Sequence, residues 1–294
     1  MIPKELLRQL RKIEFVTAKL ANQELSGSYT SVFKGQGLAF SEVRQYHRGD
    51  DVRKIDWNVT ARMHEPFVKV FVEERELTVM LVVDVSSSEQ FGTVRAPKLQ
   101  VAGEVAALAA FSAIHNNDRV GLIASTDRIE KLVPPKKGDK HGLRVVREIL
   151  GFTPKHTGTN LTVAFETLVK VARRRSLAFV ISDFFDDGFE RAMALASAKH
   201  DLIPVMLVDP RDETLPDVGL ATFEDLETGE PFVVDTSDSR VRDHYASYMT
   251  GLRDERFRLF KKHKLDVCVV RTDGSFVNPL RNLFAYRARR VRSR

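Results

Sequence analysis

The sequence predicts an α/β fold with a doubly wound, mainly parallel sheet. Three observations carry this. Leu77 to Val85, Leu177 to Ser182 and Leu202 to Val208 are nearly continuous apolar runs of strand length, the pattern of strands buried on both faces. Helical stretches separate them, as parallel connections require. The chain's 294 residues, 43% hydrophobic and 29% charged, suit one large core and exclude a disordered or disulfide-built protein.

Taken in order, residues 4–25 read as an amphipathic helix, with Leu6, Leu10, Ile13, Thr17 and Leu20 three or four apart and Gly27 at its end. Leu38 to Tyr46 reads as a strand or an irregular piece, and Pro66 to Glu73 alternates as a strand. Between them Trp57, the only tryptophan, is expected as a buried anchor. Beyond the Leu77 strand, Lys98 to His115 is an Ala-rich helix. Arg119 to Ser125 is a strand, and Ile129 to Val133 turns back against it. Lys140 to Leu150, Leu161 to Arg175, Gly188 to His200 and Ser239 to His263 read as helices. Residues 221–235 form a hairpin around Thr228–Gly229, and Leu265 to Val270 is the last strand. The predicted organisation is an N-terminal helix plus a charged block over 1–74, an α/β domain over 75–272 and a basic tail over 273–294.

The formal net charge is +6, but residues 281–294 hold six Arg and no acid, so the body is neutral. The single Cys268 excludes an internal disulfide and a redox pair. Apolar runs fall short of the roughly 18 residues of a membrane span, and the charged N-terminus does not read as a signal peptide. The expected location is cytoplasmic.

Three short segments carry chemistry. Asp84-Val85-Ser86-Ser87-Ser88 follows a buried strand, Thr157-Gly158-Thr159-Asn160 opens a helix, and Ser182-Asp183 ends the next buried strand. Each alone fits a turn or a helix cap. If the two strands are neighbours, however, Asp84 and Asp183 meet at one sheet edge, where ligands of α/β sheets bind. Ser86, Ser88 and Thr159 can arrive there on loops. Two carboxylates in apolar surroundings need a counter-charge. Two carboxylates with three hydroxyls form an all-oxygen set suited to Mg²⁺, with Mn²⁺ or Ca²⁺ as substitutes, and unsuited to Zn²⁺.

This Asp-x-Ser-x-Ser, Thr, Asp series resembles the metal-ion-dependent adhesion site of von Willebrand factor A domains over about residues 75–272. The resemblance implies that Ser86, Ser88 and Thr159 contact the metal, with Asp84 and Asp183 contacting it directly or through water. It also implies that a partner's carboxylate completes the shell, in a site that binds and does not cut. A second resemblance lies upstream. Gly35 to Phe40, Arg44-Gln-Tyr46, Gly49-Asp-Asp51, Arg53 to Trp57, Ala61-Arg62 and Val68 to Phe71 are similar to the hallmark block of the bacterial family catalogued as domain of unknown function fifty-eight. That resemblance implies association with a MoxR-type AAA+ ATPase. The family usually has Glu where Ala39 stands; many members carry a membrane anchor ahead of the block, and the expectation here is a resemblance to the short members without one.

Residues 44–75 hold seven Lys/Arg and six Asp/Glu. They read as an ion-pair network or, through Arg44, Asp50, Asp51, Arg53, Asp56 and Arg62, as a partner-docking surface. The tail's Arg287, Arg289, Arg290 and Arg292, with Phe284 and Tyr286, offer a nucleic-acid or membrane-surface contact, or pack on the domain through Leu283 and Phe284. A P-loop, a G-x-S-x-G elbow and an H-E-x-x-H helix are all absent from the sequence. The function expected is therefore a non-enzymatic, metal-dependent protein-binding module. A Mg²⁺-dependent phosphotransfer enzyme with Asp84 as nucleophile is the alternative, disfavoured because Ser86 stands where such hydrolases place a second acid.

Overall fold

The computed structural model describes residues 39–72, 77–92, 95–224 and 230–292. The predicted helix over 4–25 and the Gly35–Leu38 part of the hallmark block lie outside them. The described residues fall into two compact units, a small one ending at Leu77 and a large one beginning at Thr78.

In the small unit, strand β1 (Ala39–Gln45) pairs antiparallel with β2 (Phe67–Val72). Helix α1 (Trp57–Met63) lies between them in the chain. Asp56 caps α1 by accepting the Asn58 and Val59 N–H groups, satisfying donors that a helix start leaves open. Trp57 is not the buried anchor its composition suggested. It opens α1 beside this cap and is 70% exposed, because α1 turns no buried face inward.

The large unit is built on six strands: β3 (Thr78–Asp84), β4 (Arg119–Ser125), β5 (Ile129–Lys136), β6 (Leu177–Ser182), β7 (Asp201–Val208) and, after the hairpin described below, β10 (Cys268–Arg271). Their order across the sheet is β10-β7-β6-β3-β4-β5, and only β5 runs antiparallel to its neighbour. The fold is thus the mostly parallel α/β sheet expected. β3 and β6 sit at its centre, which is why their sequences show no polar alternation. Pro204 interrupts β7 only where β10 has not yet begun to pair, since that ladder starts at Val205. At the far edge, β5 carries Pro134 and Pro135 and an irregular register against β4.

Helix α2 (Lys98–His115) crosses from β3 to β4 and is buried on nearly every face. Its alanines admit close neighbours. Helix α3 (Asp139–Leu150) approaches so near that a β-carbon on Gly142 would come within 1.9 Å of Ile114 Cδ1. On the other side of the sheet lie α4 (Leu161–Val171) and α5 (Glu190–Lys199). Phe165, Phe184, Phe189 and Met193 join Ala178 and Val180 of β6 in one core there. Truncating such an aromatic to Ala costs about 3–5 kcal/mol.

After β7 come a short helix α6 (Pro210–Glu213) and the hairpin of β8 (Leu220–Glu224) and β9 (Pro231–Asp235). Then follows α7 (Ser239–Lys262), whose Phe260 enters the same core. The basic tail forms helix α8 (Val277–Arg292). Its Leu280, Leu283 and Phe284 are buried, and Phe284 meets Phe179 edge-on at 6.2 Å on the face of β6 opposite Ala178 and Val180. Among the described residues, no helix is long and apolar enough to cross a membrane.

His200, buried where α5 leads into β7, accepts the Ser176 N–H at Nδ1, so its proton sits on Nε2. Burial lowers its pKa to about 4, against 6.5 for the free side chain. The unfolded chain therefore binds a proton that the folded chain refuses. Stability is intact above pH 6.5 and falls as the pH drops from there towards 4. The urea midpoint of the native chain is expected to decline over that window, and His200→Gln is expected to flatten the slope. An unchanged slope in the variant would contradict this account.

Candidate metal centre

The sheet reverses its winding between β3 and β6. The chain moves from β3 outward to β4 and β5, then returns to β6 and continues to β7 and β10 on the other side. The crevice beyond the carboxyl ends of β3 and β6 is thus the topological switch point, where ligands of open α/β sheets sit. Register does the rest. Val83 pairs with Ile181, so Asp84 and the Ser182–Asp183 pair emerge side by side.

Asp84 is 2% exposed and held at both oxygens, accepting the Ser86 N–H at 3.0 Å and the Ser182 hydroxyl at 2.8 Å. Ser86 and Ser88 face each other, with their hydroxyl oxygens 3.2 Å apart. Between them Ser87 turns away and donates both N–H and hydroxyl to the Thr157 carbonyl. That bond ties the Asp84 loop to the segment bearing Thr159. The other end of the segment is pinned by the Asn160 N–H on the Thr126 carbonyl. Asp186, on the loop after β6, accepts the Leu161 N–H at the start of α4. Three loops thus reach one sheet edge. Asp84, Ser86, Ser88 and Asp183 come together there, and Thr159 lies half-buried on the segment joined to them.

The centre contains charges that the motif did not announce. Glu89 directly follows Ser88 and is 0% exposed. Its Oε1 accepts the Asp183 N–H at 2.8 Å, while Oε2 is buried without a hydrogen-bond partner. One carboxylate oxygen each from Asp84, Glu89 and Asp183 lies within 4.8 Å of the others. Lys98, at the first turn of α2 and 2% exposed, reaches Asp183 at 2.8 Å and Asp212 of α6 at 3.1 Å. Glu89 adjoins the motif in sequence. Lys98 is a lone cation opening an apolar helix. Those are the signals that could have flagged them.

Electrostatics follow from this crowding. Burial and the Asp183 charge push the Asp84 carboxyl up to about 6. Burial, then Asp183 and Asp84, push Glu89 well above its ordinary range. Burial opposes the Lys98 charge, but Asp183, Glu89 and Asp212 outweigh it and hold the ammonium above its usual range. The loop is also strained. Phe184 adopts φ 60°, a left-handed backbone that a bulky residue avoids, at a cost of order 1–3 kcal/mol. Its ring is clamped between Phe189 and Phe260, and its N–H bonds to the Ser182 hydroxyl.

The other expected surfaces are arranged differently. In the small unit, Asp50 takes Arg44 in a two-pronged ion pair at 2.7 and 2.8 Å, which lowers its pKa to about 2. Asp51 and Asp56 cap the turns that follow them. Arg53 and Arg62 are exposed. In the tail, Arg287 is 9% exposed and forks onto Asp201 and Asp266, fixing α8 to the starts of β7 and β10. Arg290 also reaches Asp266, and Arg289 faces solvent. The side chain of Arg292 lies outside the described residues.

A family model described as "Protein of unknown function DUF58" matches residues 42–255. The chain is similar to an uncharacterized protein of Mycobacterium tuberculosis, Rv1480, with 31% identity over 290 residues, covering 97% of this chain and 90% of that one. Solved structures of similar fold include BatB, a conserved hypothetical protein from Bacteroides thetaiotaomicron (14% identity, TM-score 0.44, covering 72% of this chain and 99% of that one). An aerotolerance-related membrane protein from Bacteroides fragilis matches with 16% identity and TM-score 0.48, covering 73% of this chain and 99% of that one. A von Willebrand factor type A protein from Catenulispora acidiphila matches with 11% identity and TM-score 0.42, covering 76% and 44%.

Removing Lys98 leaves Asp183 and Asp212 facing each other without their cation. Lys98→Met is expected to destabilise the fold by about 3–5 kcal/mol, read as a lower urea midpoint. A midpoint within error of the native chain would refute the counter-ion role.

Proposed function

The chain belongs to the DUF58 family of proteins of unknown function, and from that premise we propose that it is a metal-dependent protein-binding module. The observation that carries this reading is the meeting of Asp84, Glu89 and Asp183 oxygens within 4.8 Å at the sheet's switch point, beside the Ser86 and Ser88 hydroxyls. Among the described residues, four buried or half-buried carboxyl groups, counting Asp212, are clustered around the Lys98 ammonium. That cluster and the unpartnered Glu89 oxygen both fit a divalent cation. The donors are all oxygen, which favours Mg²⁺, or Mn²⁺ or Ca²⁺, over softer metals.

Asp84, Ser86, Ser88, Thr159 and Asp183 are the residues assigned to hold the ion. When bound, the ion offers a Lewis-acidic position to an oxygen of a partner. The chain's own part is positional. Ser86 N–H and Ser182 orient Asp84, Lys98 orients Asp183, and Ser87 keeps the Thr159 segment in place. The partner is a protein that presents a carboxylate. A MoxR-type AAA+ ATPase in the cytoplasm is the associated machine implied by the family resemblance, and the small unit's exposed Arg53 and Arg62 are its candidate contacts. Phosphotransfer is the alternative reading; it is disfavoured because Ser86 stands where such hydrolases place a second acid, and the buried Glu89 is held on the Asp183 N–H.

The test is affinity capture from cell extract in Mg²⁺, with native chain, Ser86→Ala and a chelator control. Proteins held by the native chain are expected to be lost in both other conditions while the far-ultraviolet spectrum stays native. Identical capture in all three would sink the reading. Magnesium-dependent phosphatase turnover that Asp84→Asn abolishes would replace it with the enzymatic one.

A further inference from the structure

We propose that Glu89, a residue outside the adhesion-site series, is itself a cation ligand, and that it lets the free chain hold its metal before any partner arrives. The inference rests on the metal-site reading above and adds a ligand and an order of binding to it.

Three observations carry it. Glu89 is fully buried, and a carboxylate oxygen of it lies within 4.8 Å of oxygens from Asp84 and Asp183. Its two oxygens have different environments. Oε1 takes the Asp183 N–H, and Oε2 has no hydrogen-bond partner. A buried carboxylate oxygen without a donor is costly, and each such group in a folded protein calls for an explanation. Lys98 does not supply one, because it is directed to Asp183 and Asp212. A hard cation among the three carboxylates satisfies Oε2 and separates like charges together.

The backbone supports the same assignment. Glu89 lies in a 3-10 turn (Ser87–Gln90) that begins immediately after Ser86, and its N–H donates to the Ser86 carbonyl. The turn that aims the two serine hydroxyls therefore also aims Glu89. By holding the Asp183 N–H, Glu89 joins the Asp84 loop to the Asp183 loop across the crevice. A site with only Asp84 and Asp183 as acids, one of them engaged by Lys98, has little charge with which to retain a divalent ion unaided. A third carboxylate changes that balance. The partner's oxygen then meets a loaded site and is not needed to assemble it.

Glu89→Gln isolates the effect, because glutamine keeps an oxygen for the Asp183 N–H and replaces the other oxygen with an amide that does not bind a hard cation. Mn²⁺ binding to the purified full chain, followed by electron paramagnetic resonance with Mg²⁺ as competitor, is the primary measurement. The native chain is expected to bind one Mn²⁺ with no partner present, and Glu89→Gln is expected to bind it at least tenfold more weakly. Mg²⁺ should raise the melting temperature of the native chain and leave that of the variant unchanged. Glu89→Asp, which keeps the charge on a shorter arm, serves if the glutamine variant does not fold, and is expected to bind Mn²⁺ more weakly than the native chain. Native-like affinity in a folded variant, with Asp84→Asn inactive, overturns the role of Glu89 and leaves the metal-dependent module standing. So does a native chain that takes up no Mn²⁺ alone yet captures proteins in a Mg²⁺-dependent way. Absence of both uptake and metal-dependent capture overturns both.

Discussion

Like-charge repulsion among buried carboxylates at the meeting of β3 and β6 is the constraint around which the large unit is arranged. Asp84 and Asp183 leave adjacent central strands within one residue of the same level, and each is almost fully removed from water. Left alone, such a pair would protonate or open the sheet edge. Lys98 meets part of the charge. Its placement explains why an otherwise apolar helix begins with a buried cation, and why α6 turns Asp212 back towards the crevice. The order of strands, the entry of α2 and the turn after β7 all meet at this one electrostatic problem.

The strained Phe184 belongs to the same arrangement. A left-handed phenylalanine persists only where its surroundings determine its position. Here two aromatic rings, Phe189 and Phe260, and the Ser182 hydroxyl do so, and the result is that Asp183 and Asp186 leave β6 in different directions. Asp183 turns to Glu89 and Lys98, whereas Asp186 reaches the start of α4. One abrupt reversal of the backbone thereby connects the Asp183 loop with the start of α4, next to the segment carrying Thr159.

Much of this was legible in the sequence because burial on both faces leaves a plain mark. The central strands, the Ala-rich α2 and the β8–β9 pairing follow from periodicity and turn residues. Asp84 and Asp183 could be placed together because strand ends in a parallel sheet share one edge. Glu89 and Lys98 left only faint marks, adjacency to the motif and a lone cation on an apolar helix; a Glu in a loop and a Lys at a helix start are usually solvated, and packing shows that these two are not. Trp57 shows the opposite error. Large aromatic area usually seeks a core, yet α1 is a short capped helix that turns its first residue outward. The tail read either as a charged surface or as a segment packing through Leu283 and Phe284; the packing is what forms, and helical geometry separates Arg287, which anchors α8, from Arg289, which faces solvent.

The antiparallel edge strand β5 has a further consequence. Pro134 and Pro135 remove two backbone donors from it, and the irregular register bends the ladder at the same place. An incoming chain finds no continuous row of N–H and carbonyl groups there, so the sheet cannot be lengthened on that flank by strand addition. Recognition through pairing of main chains is closed off at this edge, and crowding of many copies does not zip their sheets together along it.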